Sequence, residues 1–273
     1  MSYTPVIPLS GYAGWSFLNR TMEKQQAAFA ASADIQRDET YFREKIGDVR
    51  SAEELVSDRR LLRVALGAYG LDDDIDNKYF IRKVLEEGSL DSESLANKMS
   101  DKRYLEFTIA FGFGDYDTPR TVMSDFADKL LARYEERQFE IAVGEVDDTL
   151  RLAMNAEREI PLLAAKTTSE KTKWYSIIGS DPLAAVFQTG LGLPASVGSL
   201  DVDQQVAIYQ KKTEAMFGSS DPALFSDKDA VDKLVKNYLL LSQLSAGSSQ
   251  SSGSVALQLL QASGGGNTLS LLL

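Results

Sequence analysis

Ser57 to Leu71 reads SDRRLLRVALGAYGL. A Ser-Asp pair opens the stretch, and apolar residues recur at helical spacing through Leu61, Leu62, Ala65, Leu66 and Tyr69 before a glycine closes it. The plan returns as SDKRYLEFTIAFGF from Ser100 to Phe113 and, more weakly, as SDPLAAVFQTGLGL from Ser180 to Leu193. Self-similarity of this kind marks helical repeats, and the separation of Asp58 from Asp101 falls within their usual length. Asp58, Asp101 and Asp181 are expected as N-caps, since a short carboxylate accepts from unpaired first-turn amides and suits the positive end of the helix dipole. Pro182 is expected at the first helical position. In the second copy Tyr104, Leu105, Thr108, Ile109 and Phe111 form the apolar stripe, and the three helices should stop at Gly70, Gly112 and Gly192.

Working outward, residues 1–13 hold Pro5, Pro8 and Gly11 and read as an extended N-terminal segment. A first helix is expected near Gly14, with Trp15, Leu18, Met22, Ala28 and Phe29 on its apolar side. RDETYFREKI at 37–46 reads as a second, and Ser51 with Glu54 as a capping box. Asp72, Asp73, Asp74 and Asp76 do not fit a calcium loop, because Lys78 and Lys83 fall where ligands are needed; they read as a cap before KYFIRKVLEEG. Thr118 and Pro119 signal the start of a long helical stretch that reaches Pro161 with a break near Gly144. Its carboxylates, Glu135, Glu136, Glu140, Glu145, Asp147 and Asp148, read as a solvated face. So do Arg59, Arg60 and Arg63. Further helices are expected at 169–178, from a cap near Asp201, and from Asp227 to about Leu244. AGSSQSSGS then reads as a flexible linker from Ala246, followed by an apolar tail at 255–261 and at Leu269, Leu271, Leu272 and Leu273.

The expected fold class is therefore all-α and multi-helical, with SD-initiated internal repeats, elongated around one long or kinked helix. Its expected regions are the N-terminal segment 1–13, a helical repeat region 14–117, a second helical region 118–245, and the linker with its tail, 246–273.

The 273 residues contain no cysteine and no histidine, which removes thiol nucleophiles, Ser-His-Asp triads, Cys/His zinc sites and disulfides. A formal charge of −11 disfavours nucleic acid as a partner. Gly190 and Gly192 lack the strand and the lysine of a phosphate loop. No catalytic, cofactor or metal residue, and no small-molecule substrate, is identified. No signal peptide or membrane span is apparent.

GWSFLNRT, RDETYFREKI, ELVSDRRLLRVALGAYGL, KYFIRKVLEEG, ANKMSDKRYL, DPLAAVFQTGLGLP and SLDVDQQVAIYQKK together resemble a bacterial family of unknown function, domain of unknown function 1217, often encoded among flagellar genes in alphaproteobacteria. The resemblance covers nearly everything from Gly14 to about Leu240. It carries no catalytic or binding residues to transfer. It implies a non-enzymatic helical protein acting through protein contacts in flagellar assembly or structure, in the cytoplasm or exported to the flagellar apparatus without a cleavable signal. Leu269, Leu271, Leu272 and Leu273 are the candidate partner-binding residues, seated on a flagellar component or a second copy. The alternatives are a hydrolase or transferase working with Asp, Glu, Lys, Ser or Tyr alone, and a cytosolic scaffold unrelated to motility.

Overall fold

The structure, a computed structural model, describes residues 3–247. Among the described residues the chain forms α-helices joined by short 3-10 turns, with no strand, as the repeated helical periodicity predicts. It divides into two compact units: residues 3–6 with 20–145, and 7–19 with 146–247.

The first unit holds the second half of α1 (Gly11–Ala30), then α2 (Ala33–Lys45), α3 (Ala52–Ser57), α4 (Arg59–Gly67), α5 (Lys78–Glu87), α6 (Leu95–Lys98), α7 (Arg103–Phe111) and α8 (Phe126–Val146). Ser51 caps α3 by accepting from the Glu54 amide at 3.2 Å, while the Glu54 carboxylate takes the Arg50 amide at 2.6 Å, a capping box displaced by one residue. Asp58 alone separates α3 from α4. Its Oδ1 accepts from the amides of Arg60 at 2.9 Å and Leu61 at 3.1 Å, so the aspartate of the repeat does cap. The helix ends with Gly70 at φ +66° and the Leu71 amide bonded to the Leu66 carbonyl at 3.0 Å, with both leucines buried.

The second copy varies the plan. Asp101 accepts from the Arg103 amide at 2.9 Å, but α7 begins only at Arg103, after Lys102. Arg103 turns back to pair with Asp101 and also donates to the Gly70 carbonyl, tying the start of this copy to the end of the first. Phe107 and Phe111 are fully buried and stack with Tyr69 and Phe126. Leu105 is half-buried and Ile109 exposed, so the expected stripe is displaced toward the two phenylalanines. In α1, Ala28 is likewise exposed and Gln25 is buried in its place. The reason is local: the extended N-terminal segment lies on α1, and the Gln25 amide bonds both the N–H (2.7 Å) and the C=O (3.1 Å) of Val6.

Two expected boundaries move. Thr118 and Pro119 lead into a 3-10 turn, Arg120–Val122, anchored by the Thr121 hydroxyl on the Val49 carbonyl at 2.6 Å, and α8 starts only at Phe126. The break expected near Gly144 comes at Asp147, whose carboxylate caps α9 (Asp148–Ala164) through the Thr149 amide at 2.9 Å. Asp147 leaves the helical region at φ −151° and starts the next helix, whereas a single interior glycine costs only about 1 kcal/mol and Gly144 stays within α8.

The second unit contains α9, α10 (Glu170–Ile178), α11 (Asp181–Gly190), α12 (Val202–Phe217) and α13 (Lys228–Gly247), which runs past the expected end near Leu244. Pro161 lies inside α9, near its end, where a missing amide costs one backbone bond. In the third copy Ser180 rather than Asp181 takes the cap position, and no side chain caps the helix; the Ser180 carbonyl already accepts from Ala184 at 2.8 Å, so the helix starts one residue early and Pro182 falls second. The close matches the first copy, with Gly192 at φ +66° and the Leu193 amide on the Gln188 carbonyl at 2.8 Å. Helix α11 packs on α9 and α13, and Phe187 meets Trp174 and Phe225 edge to face.

Candidate arginine cleft and apolar patch

Asp34, Arg37 and Asp38 occupy positions i, i+3 and i+4 of α2 and so share one face, and Arg60 with Arg63 share a face of α4. These five side chains line a cleft of about 570 Å³ in the first unit. Arg63 Nη2 donates to both oxygens of Asp38, at 2.6 and 2.8 Å, and the Tyr134 hydroxyl donates to the same carboxylate at 3.3 Å. Burial, with the charge of Asp38 beside it, pushes the Tyr134 hydroxyl well above its usual pKa. Arg37 pairs with Asp34 at the exposed rim.

Arg60 lies 3.9 Å above the centre of the Tyr41 ring and donates to the Arg37 carbonyl at 3.2 Å. The Tyr41 hydroxyl donates to Asp58 Oδ2 at 2.6 Å, so the residue that caps α4 also fixes the plate on which Arg60 rests. Burial would raise the Asp58 carboxyl, but the Tyr41 hydroxyl and the amides of Leu61 and Arg60 outweigh it and hold the group below its ordinary value.

One residue along α2, Glu39 is 5% exposed and faces Glu135 of α8. Its Oε1 is buried without a hydrogen-bond partner. Burial first, then the hydrogen bond and charge of Glu135, push the Glu39 carboxyl up to about 7, against the pull of Arg43.

The sequence places Arg59, Arg60 and Arg63 on a solvated face. All three are exposed there: Arg59 pairs with Asp76, and Arg60 and Arg63 also line the cleft, an addition that follows from α2 packing against α4. The complementary spacings of the two acidic and three basic residues were the available signal. The carboxylates of α8 and α9 are not one solvated face, since Glu140 is buried, Glu135 meets Glu39, and Asp147 caps. The acidic loop does not cap α5 either. Asn77 precedes that helix without a side-chain cap bond, while Asp72 accepts from Gln138, Asp74 from Tyr104 and Asn77, and Asp76 from Arg59. Tertiary donors took these carboxylates before the local amides could. Gly190 is a packing glycine, because a Cβ there would lie 3.0 Å from the Leu234 carbonyl. Leu269, Leu271, Leu272 and Leu273 lie outside the described residues. Among the described residues, no group of three or more acidic side chains could hold a metal ion, and no helix is long and apolar enough to cross a membrane.

A second surface was not foreseen. Within residues 109–123, Ile109, Tyr116, Val122 and Met123 are all exposed, Met123 to 57%. Tyr116 folds back on Gly112, the left-handed cap of α7, and Arg120 sits over its ring at 5.5 Å. The α7 helix and the 3-10 turn pack together, so these four exposed side chains come from adjacent parts of the unit.

These features define a multi-helical protein with SD-initiated helices, a charged cleft and an exposed apolar edge. The chain belongs to the family described as protein of unknown function DUF1217, whose model matches residues 68–245. A crystal structure of an Agrobacterium tumefaciens protein, solved as a structural-genomics target, is similar at a TM-score of 0.69 and 27% identity, covering 89% of this chain and 99% of that one. No curated protein matches the sequence. The apolar edge lies inside the family match, whereas the five cleft residues precede it.

Proposed function

We propose that the chain is a non-enzymatic helical protein of the bacterial flagellar system, acting in assembly or structure through protein–protein contacts. The observation that carries the contact reading is the exposed edge of Ile109, Tyr116, Val122 and Met123. Tyrosine and methionine suit interfaces, the one offering rigid area with a polar tip and the other adaptable packing. The flagellar part rests on the resemblance of the seven sequence blocks.

The test is deletion of the gene, complementation, and scoring of motility with cross-linked recovery of flagellar components. Wild type should restore motility, and a Val122→Asp/Met123→Asp variant with an unchanged circular dichroism spectrum should not. A deletion strain of normal motility would remove the flagellar reading. Full complementation by the double variant would remove the role of this edge.

A second reading, a hydrolase or transferase using carboxylates, is favoured by Glu39 and Glu135, since a carboxyl near pH 7 is suited to proton transfer. Glu39 is sealed to 5% exposure, which works against direct contact with a substrate. Loss of complementation by a well-folded Glu39→Gln variant would support that reading, and full complementation would remove it.

A further inference from the structure

The cleft holds guanidinium edges that the protein itself leaves unused. A guanidinium carries five N–H donors in a fixed plane. Arg63 uses Nη2 on Asp38, Arg60 uses Nη2 on the Arg37 carbonyl, and Arg37 uses Nη2 on Asp34. Arg60 Nη2 also lies 3.9 Å from Asp38, and the Nε and Nη1 groups of Arg60 and Arg63 make no hydrogen bond to a described residue, on side chains 47% and 53% exposed. Arg60 already rests over Tyr41, 3.9 Å from the ring centre, so less side-chain freedom remains to be lost when it binds a ligand.

The two carboxylates of the lining select the ligand. A compact dianion such as phosphate would meet Asp34 and Asp38 together with the arginines and be repelled by both. A peptide presents single carboxylates together with backbone N–H donors, and so suits a lining that mixes guanidinium groups with carboxylates. We propose that this cleft binds an acidic peptide segment, whose carboxylates pair with the free edges of Arg60 and Arg63 while a backbone N–H faces Asp34. The proposal goes beyond the contact edge at 109–123 and shares no residue with it.

The probe is an acetylated, amidated peptide of alternating glutamate and glycine, titrated into the full chain by calorimetry while arginine side-chain Nε–H signals are followed by NMR. Saturable binding should move the Arg60 and Arg63 signals. Arg60→Gln should weaken it by about tenfold or more, as expected for a lost charge-assisted pair. Arg37→Gln, at a side chain 70% exposed, should weaken it less and serves as the test should Arg60→Gln lose its native spectrum. The Val122→Asp/Met123→Asp variant should bind the peptide as wild type does, which separates this site from the contact edge. Absence of saturation at millimolar peptide, equal binding of the glutamine counterpart, equal affinity in both arginine variants, or tighter binding of inorganic phosphate would each overturn the proposal.

Discussion

Replacing Glu39 by Gln should stabilise the protein at neutral and alkaline pH. Glu39 is 5% exposed, its Oε1 has no partner, and Glu135 faces it. Its folded pKa of about 7 lies above the ordinary 4.5. The folded state therefore binds this proton more tightly than the unfolded state, and the sign is the reverse of a salt-bridged carboxylate. Below about pH 4.5 both states are protonated and nothing is lost. As pH rises from there toward 7, stability falls, and above 7 the full penalty is present. At about 1.36 kcal/mol per pH unit the shift corresponds to at most about 3–4 kcal/mol, and screening through the half-buried Glu135 brings the expected penalty to about 1–2 kcal/mol. Glutamine keeps the shape, cannot ionise, and can donate its amide to Glu135. Urea unfolding of both proteins at pH 4, 6 and 8 measures the difference directly, with other titrating groups cancelling between them. Glu39→Gln should equal wild type at pH 4 and exceed it at pH 8. Parallel pH profiles, or a variant less stable than wild type at pH 8, would refute the argument.

Asp58→Ala should cost about 1–2 kcal/mol near pH 7, because it removes the cap of α4, and it should also free Tyr41 beneath Arg60. Since the Asp58 carboxyl is held below its ordinary pKa, its contribution is present above that value and is lost as pH falls through the lowered one, so the gap between variant and wild type in urea should close in acid. Gly114→Ala should destabilise by about 1–3 kcal/mol or more, as a Cβ there would lie 2.4 Å from the Glu86 carbonyl oxygen and 2.5 Å from the Gly88 nitrogen, both backbone atoms that cannot step aside. Gly47→Ala meets nothing within 4 Å and should change the melting temperature little or raise it slightly; equal losses in the two variants would contradict the close approach at Gly114.

The helical class was legible because periodicity and caps are local. Asp58 binds amides two and three residues ahead, and Gly70, Gly112 and Gly192 take positive φ where the apolar stripes end. Such signals act over a single turn and need no knowledge of the rest of the chain. What the tertiary structure decided is where competing partners lie. Asp72 and Asp74 could cap α5, but Gln138 and Tyr104 arrive from distant helices and take them. Ile109 fits the apolar stripe of α7, yet Phe107 and Phe111 fill the core and leave it outside. Arg60 and Arg63 read as solvated charges along α4 and are exposed there, but only the packing of α2 beside it brings Asp38 and Tyr41 within reach and makes a cleft of them. Burial and charge pairing are properties of neighbours far apart in sequence, so the repeat could be read from the chain alone and the cleft could not.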